Sequence, residues 1–172
     1  MFDASDVHAQ SPAANPHSPT WRAIESVLDR LVALGPVLCL YRREHAERLR
    51  LDASSLLSGV QAQAVAEIDR DGPREALCFS RPGGTVVVQV CLLPDTDFLA
   101  WERLIQSLAD CSRRGEPCRP RWSAWLRWQA SAGRFCASGA GLQFEQIASM
   151  SASGQRSAQA WSARCCSGLV RG

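Results

Sequence analysis

The chain contains no lysine. All 19 of its basic side chains are arginine, which points first to a GC-rich coding sequence and only secondarily to guanidinium chemistry. Against 17 acids they leave a net charge of +2, too balanced for bulk polyanion binding. No apolar run approaches the roughly 18 to 20 residues that span a bilayer, so no membrane segment is expected. The start, Met1-Phe2-Asp3-Ala4-Ser5-Asp6, has neither the basic head nor the apolar stretch of a signal peptide, and the expected location is the cytoplasm. In that compartment the eight cysteines read as thiols rather than as a disulfide framework. None forms a C-x-x-C pair and no histidine accompanies them, so a structural zinc site is not expected.

Catalytic signatures are missing as well. The chain has no G-x-S-x-G, no P-loop and no H-E-x-x-H. Gly139-Ala140-Gly141 lacks the third glycine of a dinucleotide loop. Glu67, Asp69 and Asp71 cluster beside a Gly-Pro turn, where alternating carboxylates more often serve solvation than acid–base chemistry.

What is present divides the chain into three stretches. Residues 1–19 form a polar, aperiodic lead expected to be disordered. Residues 20–110 carry the pattern of a folded domain. Ser18-Pro19 can open a helix whose apolar stripe runs Trp21, Ile24, Val27, Leu28, Leu31 and Leu34, stopped by Gly35-Pro36. Val37 to Tyr41 reads as a strand, and Arg42 to Leu51 as a charged helical turn with Glu44 four residues before Arg48. Residues 53–64 are ambiguous, and Val65 to Ile68 suggests another strand. Ala76 to Ser80 and Thr85 to Leu93 predict a hairpin turning at Pro82-Gly83-Gly84. Pro94 to Asp97 offers caps to a second helical stripe at Phe98, Trp101, Leu104, Ile105 and Leu108. Helix, strands, hairpin, helix predicts an α+β fold with an antiparallel sheet flanked by helices. Residues 111–172 turn Arg/Trp-rich and then Ser/Ala/Gly-rich, with Glu145 the only acid after residue 129, and are expected to be partly disordered or to fold on a partner.

Three landmarks inside the patterned domain resemble the bacterial HemS/ChuX haem-utilisation family. The segment Leu34-Gly35-Pro36-Val37-Leu38-Cys39-Leu40-Tyr41-Arg42-Arg43-Glu44 is similar to the family's "L-G-x-V-x-x-L-T-R-N-E" entry to its fold. Arg74 to Leu92 resembles the strand–glycine–strand pattern "R-x-S-L-Q-F-F-D" and "A-V-H-K-V-Y-L", with Val88-Gln89 where the family carries His-Lys. Asp95 to Leu104 resembles the helix that follows. The resemblance implies one repeat of the HemS/ChuX fold, haem as ligand, a role in haem binding or trafficking during iron acquisition, and homodimers, as single-repeat members form.

Haem iron is held by His, Cys, Met or Tyr. His45 is the only histidine in the patterned domain, and Tyr41 is the alternative ligand. Arg42 and Arg43 stand beside them as cations able to pair with propionates. Without the resemblance, the same stretch reads as a solvated charged turn, and Tyr41 as a packing residue with its hydroxyl at the surface. Cys39, Cys78 and Cys91 fall in predicted strands and read as small buried hydrophobes. Trp122, Trp125 and Trp128 recur every third residue among arginines. That spacing suits packing or a protein partner more than stacking on nucleic acid. Beside the haem reading stand a non-catalytic regulatory or adaptor module on the same scaffold that has lost haem, and an Arg/Trp-mediated nucleic-acid binder.

Overall fold

Val37–Arg42 (β1) lies at the middle of the protein because nearly all of its side chains are apolar, and only a strand covered on both faces can bury such a run. The computed structural model describes residues 27–69, 72–112, 128–139 and 141–167. Around β1 a six-stranded, wholly antiparallel sheet assembles from Gln61–Asp69 (β2), Gly72–Ser80 (β3), Val86–Cys91 (β4), Trp128–Ser138 (β5) and Gly141–Gln146 (β6). The order across it is β2-β3-β4-β1-β5-β6. The fold is therefore α+β.

Register assigns the faces, since residues paired across an antiparallel sheet point the same way. Cys39 pairs with Val90 and Ser131, and Tyr41 with Val88 and Gln129. This first face carries the larger core, where Leu77, Phe79, Phe135 and Phe144 meet the helices. Those helices are α1 (residues 27–31), Ala46–Leu51 (α2), Ala53–Leu57 (α3) and Phe98–Ser112 (α4). From α4, Trp101, Leu104 and Leu108 are buried against the sheet, as their spacing predicts. The N-terminal half of the first stripe, Trp21 and Ile24, lies outside the described residues; Val27, Leu31 and Leu34 are buried.

The second face carries Leu38 and Leu40 of β1, with Ala76 and Cys91 paired alongside. Ala152–Ser167 (α5) covers part of it through Ala158 and Trp161. Within β4, Val88 and Val90 face the first layer while Gln89 and Cys91 face the second; strict alternation would send Val87 to the second face as well, but the register shift opposite Phe79 and Ser80 turns it into the first-face core.

Local chemistry closes the connections. The β3–β4 hairpin turns with Gly83 at φ 99° and Gly84 at φ 85°, a region that residues with a Cβ avoid. The Gly84 amide donates to the Arg81 carbonyl at 2.9 Å across it. Asp97 caps α4 by accepting from the Ala100 amide at 3.0 Å, while its own amide donates to the Leu34 carbonyl at 2.8 Å. Thr96 donates to the Pro36 carbonyl and accepts from the Leu93 amide, so one loop pins the start of β1 to the end of β4.

Three sequence expectations meet a different arrangement. The expected domain boundary at residue 110 does not divide the sheet: β5 pairs along the whole of β1, and β6 and α5 follow it. Strand β3 begins at Gly72 rather than Ala76 and pairs with a nine-residue β2. Trp128 opens a strand, so the three-residue tryptophan spacing is not helical at that point; Trp122 and Trp125 lie outside the described residues, as does the expected disordered lead at 1–19. Among the described residues, no helix is long and apolar enough to cross a membrane.

Candidate functional site

The predicted haem-site residues all lie at one end of the sheet, where β1 ends and the chain turns into a short 3-10 helix, Arg43–His45, before α2. Strand alternation separates two of them. Tyr41 points into the first face, 4% exposed, and its hydroxyl lies 2.7 Å from the Ser131 hydroxyl across the sheet. Arg42 points to the second face, opposite Trp128 in the β1–β5 register. Tyr41 is thus held as a core residue with its polar tip satisfied by a neighbouring strand, not at the surface, and alternation turns it away from Arg42.

His45 sits one short turn further on, 9% exposed, with Nε2 3.8 Å from the Glu44 carboxylate. Burial pushes its pKa below the ordinary value of 6.5. Glu44 opposes the shift, and the positive charges of Arg42, Arg81 and Arg48 add to it. The imidazole is therefore neutral near pH 7, the form that ligates metals. Glu44 is itself more than half exposed and also accepts from Arg42 at 3.3 Å, so one carboxylate meets both side chains.

Arg42 is mostly buried, and its Nε has no hydrogen-bond partner among the described residues. Arg43 is exposed. The charge of Arg81, on the β3–β4 turn, also acts on His45, a contribution that separation in sequence hides. Arg48 donates to the Ser55 carbonyl and hydroxyl, fixing α2 against α3. The cluster thus joins one neutral imidazole to a set of guanidinium groups, a donor set that fits an iron-bearing dianion. Its iron ligand would be His45, and its carboxylates would be met by Arg42 and Arg43. Val88 and Gln89, which stand where the resembled pattern has His-Lys, are both buried within β4, and the Gln89 side-chain oxygen has no partner among the described residues.

The cysteines read as core residues are buried: Cys39, Cys78 and Cys91 all lie within strands with almost no exposure. Burial also raises the Cys39 thiol well above its usual pKa, which keeps it protonated and unreactive. No family model, no curated protein and no solved structure matches this chain.

Proposed function

We propose that the protein binds haem reversibly, as a cytoplasmic carrier in iron acquisition built like one repeat of the HemS/ChuX fold. One observation carries this reading: a nearly buried histidine, kept neutral by burial, lies 3.8 Å from the Glu44 carboxylate that Arg42 also pairs with, in the positive field of arginines from two separate segments. His45 would hold the iron, and Arg42 and Arg43 the propionates. Bound there, haem would supply a redox-active iron for the His45 imidazole to hold, while Arg42 and Arg43 would orient the porphyrin through its carboxylates. Tyr41 has no part in the proposal, because its buried hydroxyl is paired with that of Ser131. The three-landmark resemblance supports the same ligand, and by the same analogy the carrier is a homodimer.

The test is a hemin titration followed by absorbance. A saturable shift of the Soret band at one hemin per chain is expected, with a changed band position in His45→Ala. Replacing Arg42 and Arg43 together should weaken binding with less spectral change, since propionate pairing orients the porphyrin without touching iron. Hemin binding that survives all three substitutions unchanged would place the site elsewhere, and no saturable binding by the wild type would favour the adaptor reading.

A further inference from the structure

At the other end of the sheet lies a second hollow. Its floor is the start of β3 and the end of β4, next to the beginning of β1 rather than its end. The first turn of α4 forms one wall and one stripe of α5 the other, enclosing about 660 Å³. The reason for the space is legible in α5. It is fastened at its beginning, where the Ser151 amide donates to Asp95 at 3.2 Å, and further along by Trp161, packed with Leu38 and Leu40. Between these points the stripe facing the floor carries Ser153, Ser157 and Ala160, side chains too small to fill the gap. Protein interiors close-pack unless something keeps them open.

The lining combines two chemistries. Leu92 and the half-exposed Phe98 supply apolar surface, as does the Trp161 ring. Arg156 on α5 and Arg74 on β3 supply positive charge, and the Arg74 guanidinium lies 5.5 Å from the centre of the Trp161 ring. The one carboxylate in the lining, Glu75, already accepts from the Trp101 indole at 2.7 Å, so its charge is engaged on the far face of the sheet. None of the lining residues is His, Cys, Met or Tyr, so the hollow offers no side chain of the kind that holds haem iron.

We propose that this hollow is a binding site for a small aromatic carboxylate, with its flat ring against Trp161 and Phe98 and its carboxylate on Arg156 and Arg74. A pocket with apolar walls and a few placed charges is the usual form of a small-molecule site. Guanidinium groups recognise carboxylates by paired, directional hydrogen bonds, which sets the anionic requirement. The inference does not rest on the haem reading, because the two sites occupy opposite ends of the sheet and share no residue.

The experiment is a titration of the 15N-labelled full chain with 2-naphthoate, with 2-naphthalenemethanol as the uncharged comparison. Naphthoate is expected to shift the Trp161 indole resonance and the amides around Ser153 and Ser157 in a saturable manner. Binding should weaken by tenfold or more in Arg156→Gln, whose exposed side chain is not part of the core. The alcohol should bind at least tenfold more weakly than the acid. Ser157→Leu, which fills the hollow, should abolish the shifts while thermal unfolding shows that the protein stays folded. Saturable shifts confined elsewhere, equal binding of acid and alcohol, or full binding by Arg156→Gln would each overturn the proposal, as would an absence of any shift in the folded wild type.

Discussion

At the residue scale, charge and exposure decide what a pattern can mean. His45 belongs to a stretch that reads as solvated because five of its neighbours are charged, yet the ring is nearly buried. The sequence signals the candidate but not its burial, and part of the positive charge acting on it comes from Arg81, more than thirty residues away on the β3–β4 turn. The pH consequence follows from the direction of the shift. A folded-state pKa below 6.5 means that the unfolded chain binds the proton more readily. The stabilisation is complete above the unfolded value and is lost as pH falls through the folded one. Denaturant midpoints of the wild type should therefore drop below pH 6.5 relative to those of His45→Gln; parallel curves would mean that the ring is charged and solvated in the native state.

Two further substitutions probe side chains whose roles the fold makes specific. Tyr41→Phe removes the hydroxyl that meets Ser131 and leaves the ring in the core, so a loss of about 1 kcal/mol is expected by chemical denaturation. If Tyr41 instead served a ligand, that change would cost little stability and much binding. Gly154→Ala is expected to destabilise through a contact rather than through helix propensity, which favours alanine. A methyl group there would run into the Asp95 carboxylate, the group that fastens the start of α5. A rise in melting temperature in Gly154→Ala would show that α5 is not held against this loop.

At the scale of elements, legibility followed whether an element's own side chains carry its reason for existing. The hairpin β3–β4 and the helix α4 were readable because alternation, turn glycines and an apolar stripe are local. Trp101, at 1% exposure with its indole donating to Glu75, is the strongest case, and Trp101→Ala should cost about 3 to 5 kcal/mol. An unchanged denaturation midpoint would mean that the stripe does not face the sheet. Strand β5 was not readable, because Gln129-Ala130-Ser131-Ala132-Gly133 has the composition of a loop. Its small residues are explained only by what lies over them. A Cβ on Gly133 would collide with the Phe144 ring and the Glu145 carbonyl of β6, and Ala132 sits beneath the second-face cluster. Long-range pairing with β1 outweighs the low strand propensity of these residues.

At the scale of the whole molecule, the C-terminal part of the chain completes the sheet that the N-terminal part begins. Without β5, one side of β1 would be an open edge, with its row of amides and carbonyls unpaired. This is why a boundary drawn from composition at residue 110 fails to separate anything structural. The same topology gives the sheet two chemically different ends, one with a neutral histidine among arginines, the other with a hollow of arginine and aromatic rings. The landmark resemblance pointed to the first end and was silent about the second, since α5 and the groove it forms lie in the stretch that sequence patterning left unassigned.

The proposal that His45 would ligate haem iron meets its sharpest test in one paired titration of wild type and His45→Ala with hemin, read by Soret absorbance. A saturable one-to-one shift is expected in the wild type, and a displaced band with weaker binding in the variant, with circular dichroism showing that the variant stays folded despite the loss of a nearly buried ring. Superimposable titrations, or a wild type that never saturates, would contradict it.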